Sequence, residues 1–203
     1  MIEIDKYKEY ESHGYRFKNF LLLTDDEKRL VLDWRNHEKV RSMMVNKDII
    51  PLENHLKFIE SLKDRTDCYY WLVFSPDNTP IGVIDLLHVD KDNDIAEFGS
   101  YLNPDEAGRG FDFLIESNYF IFGQMQLGYD VLTVNIKNKE TLLFIKYTGG
   151  DFERIEEIDG ETFYVNHKAK SNYIVDNYDK LSLKDYARFV RKNRNSINFN
   201  VKI

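Results

Sequence analysis

Two glycines, Gly108 and Gly110, stand between a predicted strand and a predicted amphipathic helix. Glycine lets the backbone turn tightly and come close to a ligand. The first amides of a helix have no intrahelical acceptor, and they lie at the positive end of the helix dipole. A pyrophosphate is the anion that such a site suits best. Taken alone, Gly-x-Gly is equally typical of a plain turn that starts a helix.

The residues around these glycines exclude two other phosphate-binding loops. A Rossmann fingerprint needs a third glycine where this chain has Phe113, and it follows a βαβ unit rather than a strand meander. A P-loop needs Gly-Lys followed by Ser or Thr, which the sequence lacks. Neither class of nucleotide-binding fold is therefore expected.

The elements that must position this loop can be predicted from periodicity and turn signals. Strands are predicted at residues 15–23, 68–74, 81–88, 96–102 and 131–136, and a hairpin joins 152–155 to 162–166. Helices are predicted after a capping box at Thr24 and Glu27, over 39–44, from Pro51, over 111–122, and from an Asn138 cap. This order predicts a mixed α/β domain rather than a barrel or a doubly wound sheet.

The composition restricts the class of protein. The chain has 203 residues, 42% hydrophobic and 31% charged, which suits one folded domain with an appendage. A single cysteine, Cys68, excludes an internal disulfide, and neither a signal peptide nor a membrane span is predicted. We therefore expect a cytoplasmic protein with no membrane contact. The net charge of −7 argues against nucleic-acid binding by the body of the protein.

The C-terminal residues differ in charge from the rest of the chain. Residues 184–203 contain six Lys or Arg and one acid, Asp185, and Ser182 is predicted to cap a last helix there. A solvated helix face or a contact between subunits is the favoured interpretation, and a basic arm for an anionic partner is the alternative. We divide the chain into a domain at 1–168 and a helical extension at 169–203, and a homodimer is among the expectations.

The order of elements resembles the GNAT acetyltransferase fold. Its pyrophosphate loop follows the pattern Gln/Arg-x-x-Gly-x-Gly/Ala, and residues 105–110 match both glycines but begin with Asp105. A second block, residues 138–149, is similar to the GNAT helix Asn-x-x-Ala/Ser-x-x-x-Tyr/His-x-x-x-Gly. The resemblance implies a mostly antiparallel α+β sheet of six to seven strands flanked by helices, with acetyl-CoA as co-substrate and no metal. It assigns acetyl-CoA binding to Gly99, Ser100, Tyr101, Leu102, Gly108, Arg109, Gly110, Phe111 and Asn138.

A more specific resemblance concerns the acceptor. Residues 34–37, 50–59, 82–85 and 97–101 are similar to the N-acetyltransferases of pseudaminic acid synthesis, which acetylate UDP-4-amino-4,6-dideoxy-N-acetyl-β-L-altrosamine. The resemblance implies a nucleotide-sugar site formed by Arg35, Met44, His55, Asp85 and His88. Some of these pieces also occur in acetyltransferases of ribosomal proteins. A helix-end ion pair for Arg35, a buried structural histidine for His55 and a core position for Met44 remain open.

The catalytic groups are less well determined by the resemblance. Main-chain amides of residues 99–102 would polarise the thioester carbonyl, and Glu97 would accept the ammonium proton through water. Seven residues after Asn138, where relatives have the Tyr or His that protonates the thiolate, this chain has Ile145. Tyr147 takes that place only if the helix contains a two-residue insertion. Acetylation of a protein N-terminus or small amine, and acyl-CoA binding without turnover, therefore stay open as alternatives.

Overall fold

The computed structural model describes residues 1–106, 108–169 and 173–196. Its strands form one eight-stranded sheet in the order β1-β2-β3-β4-β5-β6-β8-β7. The strands are β1 (Tyr10–Ser12), β2 (Tyr15–Asn19), β3 (Tyr69–Phe74), β4 (Pro80–Asp90), β5 (Ile95–Leu102), β6 (Tyr129–Asn135), β7 (Arg154–Ile158) and β8 (Glu161–Ala169). All neighbours are antiparallel except β5 and β6, which are parallel.

Helices cover both faces of this sheet. They are α1 (Asp25–Asn36), α2 (Glu38–Arg41), α3 (Leu52–Ser61), α4 (Gly110–Asn118), α5 (Lys139–Tyr147), α6 (Tyr173–Asn177) and α7 (Leu183–Asn193). Because strand side chains alternate between faces, Leu72 and Val83 pack under α1 and α3. Trp71 and Ile84 face the opposite side, where α4 lies. The sheet therefore has an α1/α3 face and an α4/α5 face.

The parallel pair is the irregular place in the sheet. Residues 95–97 of β5 pair with residues 129–131 of β6, and no later residue of β5 pairs with β6 in the described ladder. Both strands nevertheless continue, β5 to Leu102 and β6 to Asn135. The two strands therefore diverge after Glu97 and leave a gap that opens towards their carboxyl ends.

The predicted fold class is confirmed, with some changes in its elements. The Thr24–Glu27 capping box, the Asn138 cap and the Ser182 cap are all present. The sheet has eight strands rather than the predicted six or seven, since it includes β1, which was not predicted. The first predicted strand stops at Asn19. There the Asn19 side chain caps a 3₁₀ turn over residues 20–22. Pro51 is the N-cap of α3 rather than its first residue.

The predicted helix over residues 111–122 changes character along its length. It is α-helical to Asn118 and continues as a π-turn over Tyr119–Gln124. The core residues Phe120 and Ile121 are fully buried in this π-turn. Packing against the sheet has therefore overridden regular α-helical geometry here.

The C-terminal extension packs on the α4/α5 face. Ile174 of α6 is buried with Phe111, Ile115 and Phe144. The predicted division at residue 168 falls inside β8, and residues 170–172 and 197–203 of the extension lie outside the described residues. No helix in the described parts of the chain is long and apolar enough to cross a membrane.

Candidate active site

The start of α4 has the geometry expected of an anion site. Gly108 has φ +89°, and a Cβ placed on it would meet no atom within 4 Å. Arg109 is the N-cap, and its side chain makes no hydrogen bond to the first turn of α4. The described loop therefore leaves the first amides of α4 without a side-chain acceptor, so they remain available for a pyrophosphate. Ala107 lies outside the described residues.

The Arg109 side chain does not face an open site. Its guanidinium donates to Ser75 Oγ at 2.8 Å and to Asp77 Oδ2 at 3.0 Å, and its Nε lies 3.1 Å from Glu106 Oε2. The hydrogen bond to Asp77, with the charges of Asp77 and Glu106, raises the pKa of Arg109. Arg109 was assigned to acetyl-CoA binding; its guanidinium already pairs with two carboxylates, and its role in binding acetyl-CoA stays a prediction.

The gap between β5 and β6 lies next to this loop. Residues 99–102 pair with β4 on one side, from Asp85↔Gly99 to Gly82↔Leu102, and on the side of β6 they have no strand partner among the described residues. The Leu102 side chain packs on the α4 face, and Tyr101 packs on the α1/α3 face. By alternation Ser100 shares the face of Leu102. A substrate in the gap would meet unpaired main-chain groups of β5.

The buried carboxyl of Asp85 on β4 lies beside Gly99 of β5. A Cβ on Gly99 would come within 2.9 Å of Asp85 Cγ, so the close approach of the two strands requires glycine here. Burial, and to a lesser extent the charge of Glu97, raise the pKa of Asp85 to about 7, and Arg35 opposes this rise. The structure therefore brings three predicted residues, Asp85, Glu97 and Arg35, into one electrostatic group on the α1/α3 face.

Glu97 and His88 form a pair at the closed end of the gap, where β5 and β6 still pair. The His88 Nε2 atom lies 3.8 Å from Glu97 Oε2, and the His88 side chain is 81% exposed. His88 has φ +50° at an irregularity in β4 between Leu87 and Asp90, which turns it towards β5. The Glu97 side chain is 32% exposed. A carboxylate in this place can reach water and an incoming amine.

Arg35 lies at the end of α1 with unused hydrogen-bonding capacity. Its Nη2 donates to the carbonyl of Asn46 at 2.8 Å, while its buried Nη1 has no hydrogen-bond partner in the described structure. Burial lowers the pKa of Arg35, and Tyr101 and Asp85 counter this effect. An arginine stays charged regardless, so Nη1 can donate to an anionic acceptor. Met44 lies half-buried in the same loop as Asn46.

His55 occupies a different place from Arg35. It is 7% exposed, and its Nε2 lies 3.0 Å from the carbonyl of Lys28, on α1. Lys28 and Arg35 are seven residues, about 10 Å, apart along α1. Burial lowers the pKa of His55. These contacts favour the structural interpretation of His55, and its role in substrate binding stays a prediction.

Residues 138–149, the second block that resembles the GNAT pattern, form α5 and its cap. Asn138 Oδ1 accepts from Thr141 N at 3.3 Å and caps α5. Ile145 packs with Leu142 and Phe152 against β6 and β8, so the position where relatives have a proton donor is apolar. Tyr147 lies on another side of the helix and packs against Tyr186 and Phe189 of α7. These contacts favour the alignment that puts Ile145, and not Tyr147, at the position of the proton donor, and the role of Tyr147 as a proton donor stays a prediction.

Several residues near the site were not identified from sequence. Tyr70 of β3 pairs with Asp85 of β4. The charges of Asp85 and Arg35 both act on the Tyr70 hydroxyl. Glu161 of β8 binds Lys47, Lys137 and Asn135, and thereby ties the loop after α2 to the end of β6. Lys47 and Glu161 are separated by more than a hundred residues, so no local spacing could have indicated this bridge.

Comparisons with known proteins agree with this geometry. The domain family described as Acetyltransferase (GNAT) domain matches residues 20–140. The chain is 36% identical over 107 residues to Acetyltransferase PseH of Campylobacter jejuni subsp. jejuni serotype O:2, covering 53% of this chain and 66% of that protein. It is 33% identical over 112 residues to the PseH of serotype O:23/36, covering 55% and 69%. These alignments span about two thirds of each relative.

Solved structures share the fold. The crystal structure of C. jejuni N-acetyltransferase PseH in complex with acetyl coenzyme A superposes with a TM-score of 0.57 at 26% identity, covering 77% of this chain and 99% of that one. Spermidine N-acetyltransferase from Vibrio cholerae, in complex with CoA and spermine, gives a TM-score of 0.66 at 14% identity over 81% of this chain and 99% of that one. The family match includes both the free start of α4 and the gap between β5 and β6. The chain therefore belongs to the acetyltransferase (GNAT) family.

Proposed function

We propose that this protein transfers the acetyl group of acetyl-CoA to the amino group of a nucleotide-linked amino sugar. The observation that carries this proposal is the gap between β5 and β6, which has the free start of α4 on one face and Asp85, Glu97 and Arg35 on the other. The similarity to the two PseH acetyltransferases supports the choice of acceptor class.

In this proposal the two substrates bind on opposite faces of the sheet. The first amides of α4 hold the pyrophosphate of acetyl-CoA, which supplies the acetyl group as a thioester. The acceptor lies on the α1/α3 face, where Arg35 Nη1 is free to donate to a phosphate and Met44 lies in the neighbouring loop. The partners of the protein are thus small molecules, and a cytoplasmic location and a homodimer stay predictions.

The chemical step follows from the charges on this face. Glu97 takes a proton from the ammonium group through water, and His88 Nε2 lies 3.8 Å from its carboxylate. The free amine then forms the C–N bond while the C–S bond breaks, and its nitrogen gives up a second proton to water. Amides of residues 99–102 stabilise the charge on the carbonyl oxygen. Since Ile145 cannot donate a proton, the departing thiolate takes its proton from water.

A release assay for free thiol tests this proposal. The purified protein is given acetyl-CoA and, separately, UDP-amino sugars, polyamines and peptides. Turnover with a UDP-amino sugar and none with the other amines is the expected result. Turnover only with peptides or polyamines would reject the acceptor class. Acetyl-CoA binding with no turnover on any amine would favour a binding protein, the alternative that Ile145 supports.

A further inference from the structure

The loop before α4 supplies little free positive charge for so anionic a ligand. Asp105 and Glu106 are acidic, and Arg109 is held by Asp77 and Glu106. Acetyl-CoA carries a 3′-phosphate monoester besides its pyrophosphate. The amides of α4 can satisfy one of these groups, so a cation for the other must come from elsewhere in the fold.

The C-terminal helix α7 is anchored beside this loop. The Tyr186 ring stacks on Phe111 with a centroid distance of 5.0 Å and an interplanar angle of 23°. Phe111 directly follows Gly110, so this stack attaches α7 to the first turn of α4. Tyr186 also contacts Tyr147 of α5 at 5.2 Å. Helix α7 therefore spans from α4 to α5.

The direction of α7 determines which of its ends lies beside the start of α5. Phe189, in the second half of α7, contacts Tyr147 at the end of α5, and Arg194 just after α7 reaches Glu140 in the first turn of α5 at 3.2 Å. The Tyr186 hydroxyl also lies 3.5 Å from the Glu140 carbonyl. The C-terminal end of α7 thus lies beside the start of α5, near the Asn138 cap.

This end of α7 is basic and its charges are available. Arg191 and Lys192 are exposed, and neither has an ion-pair partner among the described residues. Arg188, by contrast, pairs with Asp185 at 3.0 Å. Arg191 and Lys192 are five and six residues beyond Tyr186, about 8–9 Å along the helix. Around the helix they lie about 140° and 120° from Tyr186, on the outer face and the flank of α7, so each needs the full length of its side chain to reach a ligand beside the start of α5.

We propose that Arg191 and Lys192 of α7 bind the 3′-phosphate of acetyl-CoA and replace the cation that the loop before α4 lacks. This inference rests on the proposed use of acetyl-CoA. It gives the C-terminal extension a function in cofactor binding, with Tyr186 as the positioning residue that holds α7 against Phe111. An arginine and a lysine together suit a phosphate monoester, since the fork and the point charge can share three acceptor oxygens.

Isothermal titration with acetyl-CoA and with acetyl-3′-dephospho-CoA tests this inference. The wild-type protein should bind acetyl-CoA roughly tenfold or more tightly than the dephospho form, the size expected of charge-assisted hydrogen bonds. The double variant Arg191→Gln/Lys192→Gln should bind both ligands alike, with its affinity for the dephospho form unchanged. Lys184→Gln, which removes one charge from the other end of α7, is the matched control and should keep the wild-type ratio.

The outcomes separate this inference from the function on which it rests. Binding of both ligands with the same ratio in wild type and double variant would overturn the role of α7 alone. No binding of either ligand to the wild type would overturn the proposed function as well. Because Arg191 and Lys192 are exposed and unpaired in the described structure, their replacement should leave the melting temperature unchanged. Tyr186→Ala should bind acetyl-CoA and the dephospho form alike, whereas Tyr186→Phe should keep the wild-type preference, because only Phe retains the stack on Phe111.

Discussion

At the scale of single residues, Gly108 shows most directly what the site requires. Its φ of +89° lies in the left-handed region, and the space beside it is open. A Cβ there would meet no atom within 4 Å, so a substituted side chain would start in the space that we assign to the ligand. Gly160, in the β7–β8 turn, has φ +76° and equally open surroundings.

We expect Gly108→Glu to weaken acetyl-CoA binding by about tenfold or more, or ~1.4 kcal/mol, because the new carboxylate repels the pyrophosphate. Isothermal titration measures the change. Gly160→Glu is the matched control, since both variants place an L-residue in the left-handed region at a local cost of about 1 kcal/mol. Equal losses of affinity in the two variants would contradict an anion site at Gly108.

Glu97 can be tested by the pH dependence of its removal. We expect Glu97→Gln to lower kcat/KM by about a hundredfold near pH 7. The loss should shrink towards pH 9, because more of the amine is already deprotonated in solution. A pH–rate profile measures this, with Glu60→Gln on the exposed side of α3 as control. A deficit that is the same at every pH would reject Glu97 as the proton acceptor.

At the scale of elements, the bridge at Glu161 connects two segments that flank the acceptor side of the gap. Lys47, in the loop after α2, and Lys137, after β6, both pair with the Glu161 carboxylate. Their hydrogen bonds, with that of Asn135, lower the pKa of Glu161 to about 2. The bridge is therefore intact throughout the ordinary pH range and holds the loop that contains Met44 and Asn46.

Removal of this bridge should affect the acceptor and leave acetyl-CoA binding unchanged. We expect Glu161→Gln to raise the KM for the acceptor roughly two- to fivefold, the range of exposed ion pairs. Steady-state kinetics with each substrate varied in turn measures both KM values. Glu157→Gln, on the neighbouring strand of the same hairpin, is the control. A parallel rise in the KM for acetyl-CoA would show that the bridge supports the whole fold instead.

At the scale of the whole molecule, two buried carboxyls govern how stability depends on pH. Burial raises the pKa of both Asp85 and Asp130 to about 7, and one oxygen of Asp130 has no hydrogen-bond partner in the described structure. In the unfolded chain an aspartate has a pKa of about 3.9. The folded state therefore holds more protons between these two values, and its stability decreases as pH rises through that window.

We expect the free energy of unfolding to fall between pH 5 and pH 8. Asp130→Asn should be more stable relative to wild type at pH 8 than at pH 5, by ~1 kcal/mol or more, since each unit of pKa difference is worth ~1.4 kcal/mol. Denaturant unfolding at the two pH values measures this difference. Asp33→Asn, exposed on α1, should show no such change. A relative stability of Asp130→Asn that is independent of pH would contradict the buried, protonated state.

Much of the local structure could be predicted from sequence because its causes are local. The capping box at Thr24, the Asn138 cap and the strand-loop-helix around Gly108 depend on residues within a few positions of one another. The same is true of the turn at Asp159-Gly160, where both residues have positive φ. Strand β1 was missed because its three residues become a strand only by pairing with β2.

The sequence by itself determined the order of elements, the anion loop and the set of polar residues near it. Only the tertiary structure decided how they are used. It separates β5 from β6 after Glu97, turns Arg109 to Asp77, gives His55 to the Lys28 carbonyl and lays α7 across α4 and α5. Each of these contacts joins residues far apart in the chain, and its free energy depends on packing and burial that no local pattern records.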